Sequence, residues 1–95
     1  MPAYGIVDIE VTNAEAMGPY MASVADTVAA HGGKYLVRGG AAECIEGEMG
    51  NPVKVVLEFP TMDALKGWYH SAEYKEILPN RLENASGNFI FVEGV

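Results

Sequence analysis

Apolar residues recur along this chain with two different periods, and the order in which those periods alternate restricts the fold more than any other feature. Period two runs from Ala3 to Val11, with Gly5, Val7, Ile9 and Val11 on one face and Tyr4, Ile6, Asp8 and Glu10 on the other. Helical spacing comes next in Met17, Tyr20 or Met21, Val24 and Val28, and His31-Gly32-Gly33 supplies a glycine stop. Lys34 to Arg38 reads as a second strand, broken or bulged at Gly39-Gly40, with Ala42 to Glu46 as its continuation. After the turn-rich stretch Gly47 to Pro52 comes Val53 to Phe59, the most β-branched segment of the chain. Val53, Val55, Leu57 and Phe59 share one of its faces; Lys54, Val56 and Glu58 share the other. A second helical pattern through Met62, Leu65 and Tyr69 and a last strand over Asn88 to Glu93 complete the chain.

The order is β-α-β-β-α-β. It predicts an α+β, ferredoxin-like fold: a four-stranded antiparallel sheet with two helices on one face and the first and third strands central. Ninety-five residues leave room for one such domain, residues 1–95.

Capping residues sharpen the helices. Thr12 or Asn13 can cap the first, and Glu15 lies where a capping box places it. Pro19 leaves two arrangements open: a loose, kinked turn over Ala14 to Gly18, or a helix that starts with Pro19 in its first turn. Thr61 can cap the second helix, with Asp63 in its first turn. Ser71 looks like a fresh cap, so this helix is expected to break near His70 and restart through Tyr74, Ile77 and Leu78, limited or kinked by Pro79.

Two helices cover one sheet face only. The other carries Tyr4, Ile6 and Val56, with either Phe89 and Phe91 or Ile90 and Val92. An apolar sheet face of this size calls for a partner, and face-to-face pairing of two copies is the expected solution. Asp8, Glu10, Lys54 and Glu58 alternate onto the same face, and the strand count adds Arg38. Two readings of that charge set stand. It is either a structural ion-pair network, Arg38 with Glu58 or Asp8, or a ligand anchor in which Arg38 holds an anion and Glu58 or Asp8 moves a proton.

Charge excludes other classes. Thirteen acids against six bases give −7 with no basic cluster, so neither nucleic acid nor an anionic membrane surface is an expected partner. Cys44 is the one cysteine and has acidic neighbours Glu43 and Glu46, so it reads as structural rather than nucleophilic. No apolar run is long enough to span a membrane, and Met1 to Glu10 does not resemble a secretory signal, so a cytoplasmic protein is expected.

Several stretches together resemble a known family: His31 to Gly40, Glu46-Gly47-Glu48, Glu58-Phe59-Pro60, Trp68-Tyr69, Ser71-Ala72-Glu73-Tyr74, Arg81 and Val92-Glu93-Gly94. In order and spacing they are similar to the domain-of-unknown-function 1330 family over nearly the whole chain. The resemblance implies a ferredoxin-like chain of the dimeric α/β-barrel superfamily and no settled activity. That superfamily includes cofactor-free monooxygenases, muconolactone isomerases and haem-binding enzymes. The chain departs from the family pattern at Met49-Gly50, where an aromatic or basic residue is frequent, and at Ala72, where proline is frequent.

A candidate site can be assembled from these residues. Arg38, Glu58 and Asp8 are the candidate catalytic groups; Arg38, Trp68, His70, Tyr69 and Tyr4 are the candidate ligand contacts. His31 reads as a helix C-terminal group. Neither a metal-ligand spacing nor a phosphate-cradling glycine loop is present, and no cofactor is expected. The two functional expectations are a homodimer whose pocket binds a small polar or aromatic molecule, as a cofactor-free isomerase- or monooxygenase-like enzyme, and a non-catalytic dimeric module.

Overall fold

In the computed structural model, which describes residues 1–95, seven elements succeed one another: β1 (Ala3–Val11), α1 (Gly18–Ala30), β2 (Lys34–Arg38), β3 (Val53–Phe59), α2 (Met62–Tyr69), α3 (Ala72–Asn84) and β4 (Ala85–Glu93). The strands form one antiparallel sheet in the order β2-β3-β1-β4, so the first and third strands are central as expected. The helices lie on one sheet face, against Ala3, Leu57 and Phe59 with Phe89 and Phe91 beside them. None of the helices is long and apolar enough to cross a membrane.

Pro19 resolves as the second of its two arrangements. It sits in the first turn of α1, where a missing N–H is harmless, and Met17 is the N-cap without a side-chain bond. The capping box does not form; Asn13 instead accepts the Ala16 N–H at 3.0 Å. At the other end of α1, Gly32 takes the left-handed conformation at φ 79° that a side chain would resist. Thr61 and Ser71 cap α2 and α3 by accepting the amide of the residue three positions on. The break at His70 makes three helices. Pro79 does not end the last one, which runs on to Asn84. There Asn80 ties α3 to α1: its amide oxygen accepts the Tyr20 N–H at 3.1 Å and its nitrogen donates to Ala16 O at 2.8 Å.

The sequence expectations need correction in three places. Ala42 to Glu46 is not a strand. The β2 ladder ends where Gly39 donates to Lys54 O, and Pro52, lacking an N–H, stops β3 from growing to meet a longer partner. The last strand begins at Ala85, three residues earlier than expected. The third correction concerns side-chain direction. Tyr35 faces Leu57 while Val37 faces Val56, so β2 carries one extra residue in a bulge at Leu36. The bulge reverses the phase of the strand beyond it. Val37 turns to the open face and Arg38, opposite Val55, turns to the helix side, away from Asp8, Lys54 and Glu58.

Candidate functional site

Core packing leaves space on the helix side of the sheet. Trp68 is fully buried, with its ring 4.3 Å from that of Tyr74 and 5.4 Å from that of Phe59. Its indole N–H donates to Thr27 Oγ1 at 3.0 Å, and the threonine hydroxyl donates to Val24 O. That chain pins α2 to α1. Helix α1 leans mainly on α3. Between α1 and the sheet lies a cavity of about 160 Å³. Val7, Ile9, Val55 and Leu57 form its floor, Tyr20, Met21 and Val24 its roof, and Trp68 and Phe89 its end. Apolar cavities of about this size take up a benzene-sized ring.

Both arginines of the chain line this cavity and no carboxylate does. Arg38 stands exposed at the edge strand with its guanidinium stacked over the Tyr35 ring, 4.4 Å from the centroid. Arg81 comes from α3 and is 7% exposed. Its guanidinium carbon lies 5.8 Å from the Tyr20 ring and 5.7 Å from the Phe89 ring, and its Nε has no hydrogen-bond partner. Neither arginine is in an ion pair. Next to Arg81, the Tyr20 and Tyr74 hydroxyls bond to each other at 2.8 Å. Burial pushes the ionisation of Tyr20, Tyr35 and Tyr74 upward, so all three phenols keep their protons at neutral pH.

The residues singled out in the sequence separate into three places. Arg38 and Trp68 line the cavity. Tyr69 and His70 line a second, open hollow with Phe89 and Phe91, where His70 meets the Tyr69 ring edge-on at 5.4 Å. Tyr4, Asp8 and Glu58 lie on the open sheet face, beyond the cavity floor. The ion pairs expected of Arg38 are made by lysines instead: Lys54 with Asp8, and Lys34 with Glu58 at 3.5 Å. Asp8 also accepts the Asn51 N–H at 3.0 Å, and Lys54 donates to Met49 O, which anchors the loop before β3. The Lys54 hydrogen bond holds the Asp8 carboxyl below its ordinary value. His31, at the C-cap of α1, pairs with Glu73.

Sequence reasoning missed Arg81 and Tyr20 as site residues. The available signal was the helical spacing of Tyr74, Ile77 and Arg81, which puts an arginine on the apolar stripe of α3. A buried arginine without a carboxylate partner is a stronger indication of a site than an exposed pair of charges.

The sheet, its one-sided helical layer and the apolar cavity between them define an α+β protein with a pocket between sheet and helices. The chain belongs to the family described as Domain of unknown function (DUF1330), whose model matches residues 2–95. Its fold is similar to the crystal structure of RPA0582, a protein of unknown function from Rhodopseudomonas palustris. The match has a TM-score of 0.76 at 16% identity and covers 99% of this chain and 82% of that one. The methylated form of RPA0582 is similar as well, with a TM-score of 0.72 at 17% identity and 99% and 81% coverage. At these identities the likeness concerns the fold. No curated protein matches the chain.

Proposed function

We propose that this protein is a homodimeric, ferredoxin-like binding protein that holds one small molecule per protomer between its sheet and its helices. The observation that carries this reading is the apolar cavity floored by Val7, Ile9 and Leu57 and closed by Tyr20 and Trp68. A well-packed interior of this size rarely leaves such a space empty of purpose, and the few polar groups at its edge fit a site that orients a ligand. Trp68 packs against the ligand and Arg38 guards the entrance. Tyr69 and His70 shape the neighbouring hollow.

The dimer rests on the open sheet face. Ile90 and Val92, with Ile6, Val56 and Val37, form an apolar patch there, and Ile90 is 55% exposed in the protomer. Two lysine–carboxylate pairs border the patch, so each copy presents both signs of charge to the other. Tyr4, Asp8 and Glu58 belong to this contact.

Binding without acid–base catalysis is the form the geometry favours. Asp8 and Glu58 are held by lysines on the far side of the sheet, and the phenols in and beside the cavity keep their protons at neutral pH and so offer no base. Titration of benzyl alcohol into the protein, followed by amide and indole NMR signals, tests the pocket. Shifts are expected at the Trp68 indole N–H, Val24 and Val55. Shifts confined to the open sheet face, or none, contradict it.

A further inference from the structure

We infer that the cavity selects a monocarboxylate carried on an apolar, ring-sized body, with Arg81 as the group that binds the carboxylate. The inference rests on the pocket reading above and names its ligand class.

Thirteen acids outnumber six bases in this chain, yet the only two arginines line one apolar cavity that contains no acid. Arg81 is more than nine-tenths buried and stays charged at any ordinary pH. A charge in that position is normally met by a carboxylate, because an uncompensated buried ion is strongly destabilising. Here the Tyr20 and Phe89 rings and the neutral Tyr74 hydroxyl supply only partial compensation, and Nε–H has no acceptor.

A second donor is unused in the same place. Tyr20 and Tyr74 share a single hydrogen bond, which consumes one of their two hydroxyl protons. Arg81 lies beside the Tyr74 oxygen and bonds to it, and either hydroxyl can donate in the bond between the two tyrosines. One hydroxyl proton is therefore left over beside the cavity, which Tyr20 lines. Beyond the Tyr74 oxygen the guanidinium meets no protein acceptor and no carboxylate, so guanidinium and phenol both keep a donor for a ligand. The other polar groups nearby are already satisfied: the Trp68 N–H by Thr27, and the Tyr20 backbone N–H by Asn80.

The donor set selects among anions. A guanidinium fork matches the two oxygens of a carboxylate. A phosphate dianion asks for more donors, commonly the free amides of a helix N-terminus. At the start of α1 these are absent or used. Gly18 N donates to Glu15 O, Pro19 has no N–H, Tyr20 N donates to Asn80 and Met21 N donates to Met17 O. The apolar walls then require the remainder of the ligand to be a ring or a short hydrocarbon. Arg38 at the mouth attracts the anion and does not bury it.

Thermal shift and calorimetric titration with three acid–amide pairs test this: benzoate with benzamide, phenylacetate with phenylacetamide, and hexanoate with hexanamide, at ionic strength matched with chloride. At least one acid is expected to bind roughly tenfold or more tightly than its amide. Arg81→Met is expected to lose that preference while still binding the amide, and Arg81→Lys to retain part of it. Without ligand, Arg81→Met is expected to melt at or above the wild-type temperature, since it removes an unpaired buried charge. Arg38→Met is expected to weaken acid binding less than Arg81→Met does. Equal affinity for acids and amides overturns the inference and leaves the pocket reading standing. So does an acid preference that survives in Arg81→Met. Binding of neither acids nor amides overturns both.

Discussion

Ile90→Asp separates folding from pairing. Ile90 sits on β4 opposite Ile6 and keeps 55% of its surface exposed in the protomer. Complete burial of an isoleucine side chain stabilises by about 1.5–3 kcal/mol, so covering the exposed half contributes about 1–1.5 kcal/mol per copy. Two-fold symmetry doubles this to about 2–3 kcal/mol, a factor of roughly 30 to 150 in the dimer dissociation constant. Placing two carboxylates within one apolar contact adds to the loss, because neither has a partner there. In the isolated protomer the new carboxylate remains in water, and its effect on folding stays within about 1 kcal/mol, the range of strand preference. Sedimentation equilibrium over a concentration series, with circular dichroism melts on the same samples, reads both quantities. The expected result is a folded monomer under conditions where the wild type is a dimer. An unchanged dissociation constant refutes the assignment of this face, and a monomeric wild type refutes it outright.

Further predictions concern the scaffold. Thr27→Val removes the acceptor of the fully buried Trp68 indole N–H, and urea unfolding is expected to show a loss of about 1–3 kcal/mol; an unchanged midpoint means that the bond contributes nothing. Gly87→Ala combines a φ of 140° with a Cβ that would lie 2.2 Å from the Asp8 carbonyl oxygen, so a loss of about 3 kcal/mol or more, or failure to fold, is expected, and a variant with wild-type melting behaviour contradicts the β1–β4 register. Asp8 has a folded pKa held below its ordinary 3.8 by Lys54, so its contribution is present above that value and is lost as pH falls through the lowered one. Melting temperature is therefore expected to drop more steeply in the wild type than in Asp8→Asn below about pH 4, and parallel curves contradict it.

The strands and their order were legible because the pattern of one-sided burial is local. β1, β2 and β3 lie where period two and their bounding prolines and glycines put them. The helix break at Ser71 was legible for the same reason, since a capping serine acts within one turn. Features that could not be read locally depend on partners far along the chain. The bulge at Leu36 is fixed by how β2 meets β3, and it alone decides that Arg38 faces the cavity rather than Asp8 and Glu58. Ala42 to Glu46 has no ladder to join past Pro52. Pro79 is tolerated inside α3 because the proline itself lies on the exposed side of that helix. Arg81 was the largest omission. An arginine on a helix stripe reads as solvated until the sheet, Tyr20 and Phe89 are seen to close over it.

Native mass spectrometry of the protein equilibrated with the tightest-binding of the three acids tests the central claim most directly, because it reads the assembly and its occupancy together. The account predicts a dimer that retains one acid per protomer, with retention lost in Arg81→Met while the dimer persists. A monomer, or a dimer whose acid retention does not depend on Arg81, contradicts it.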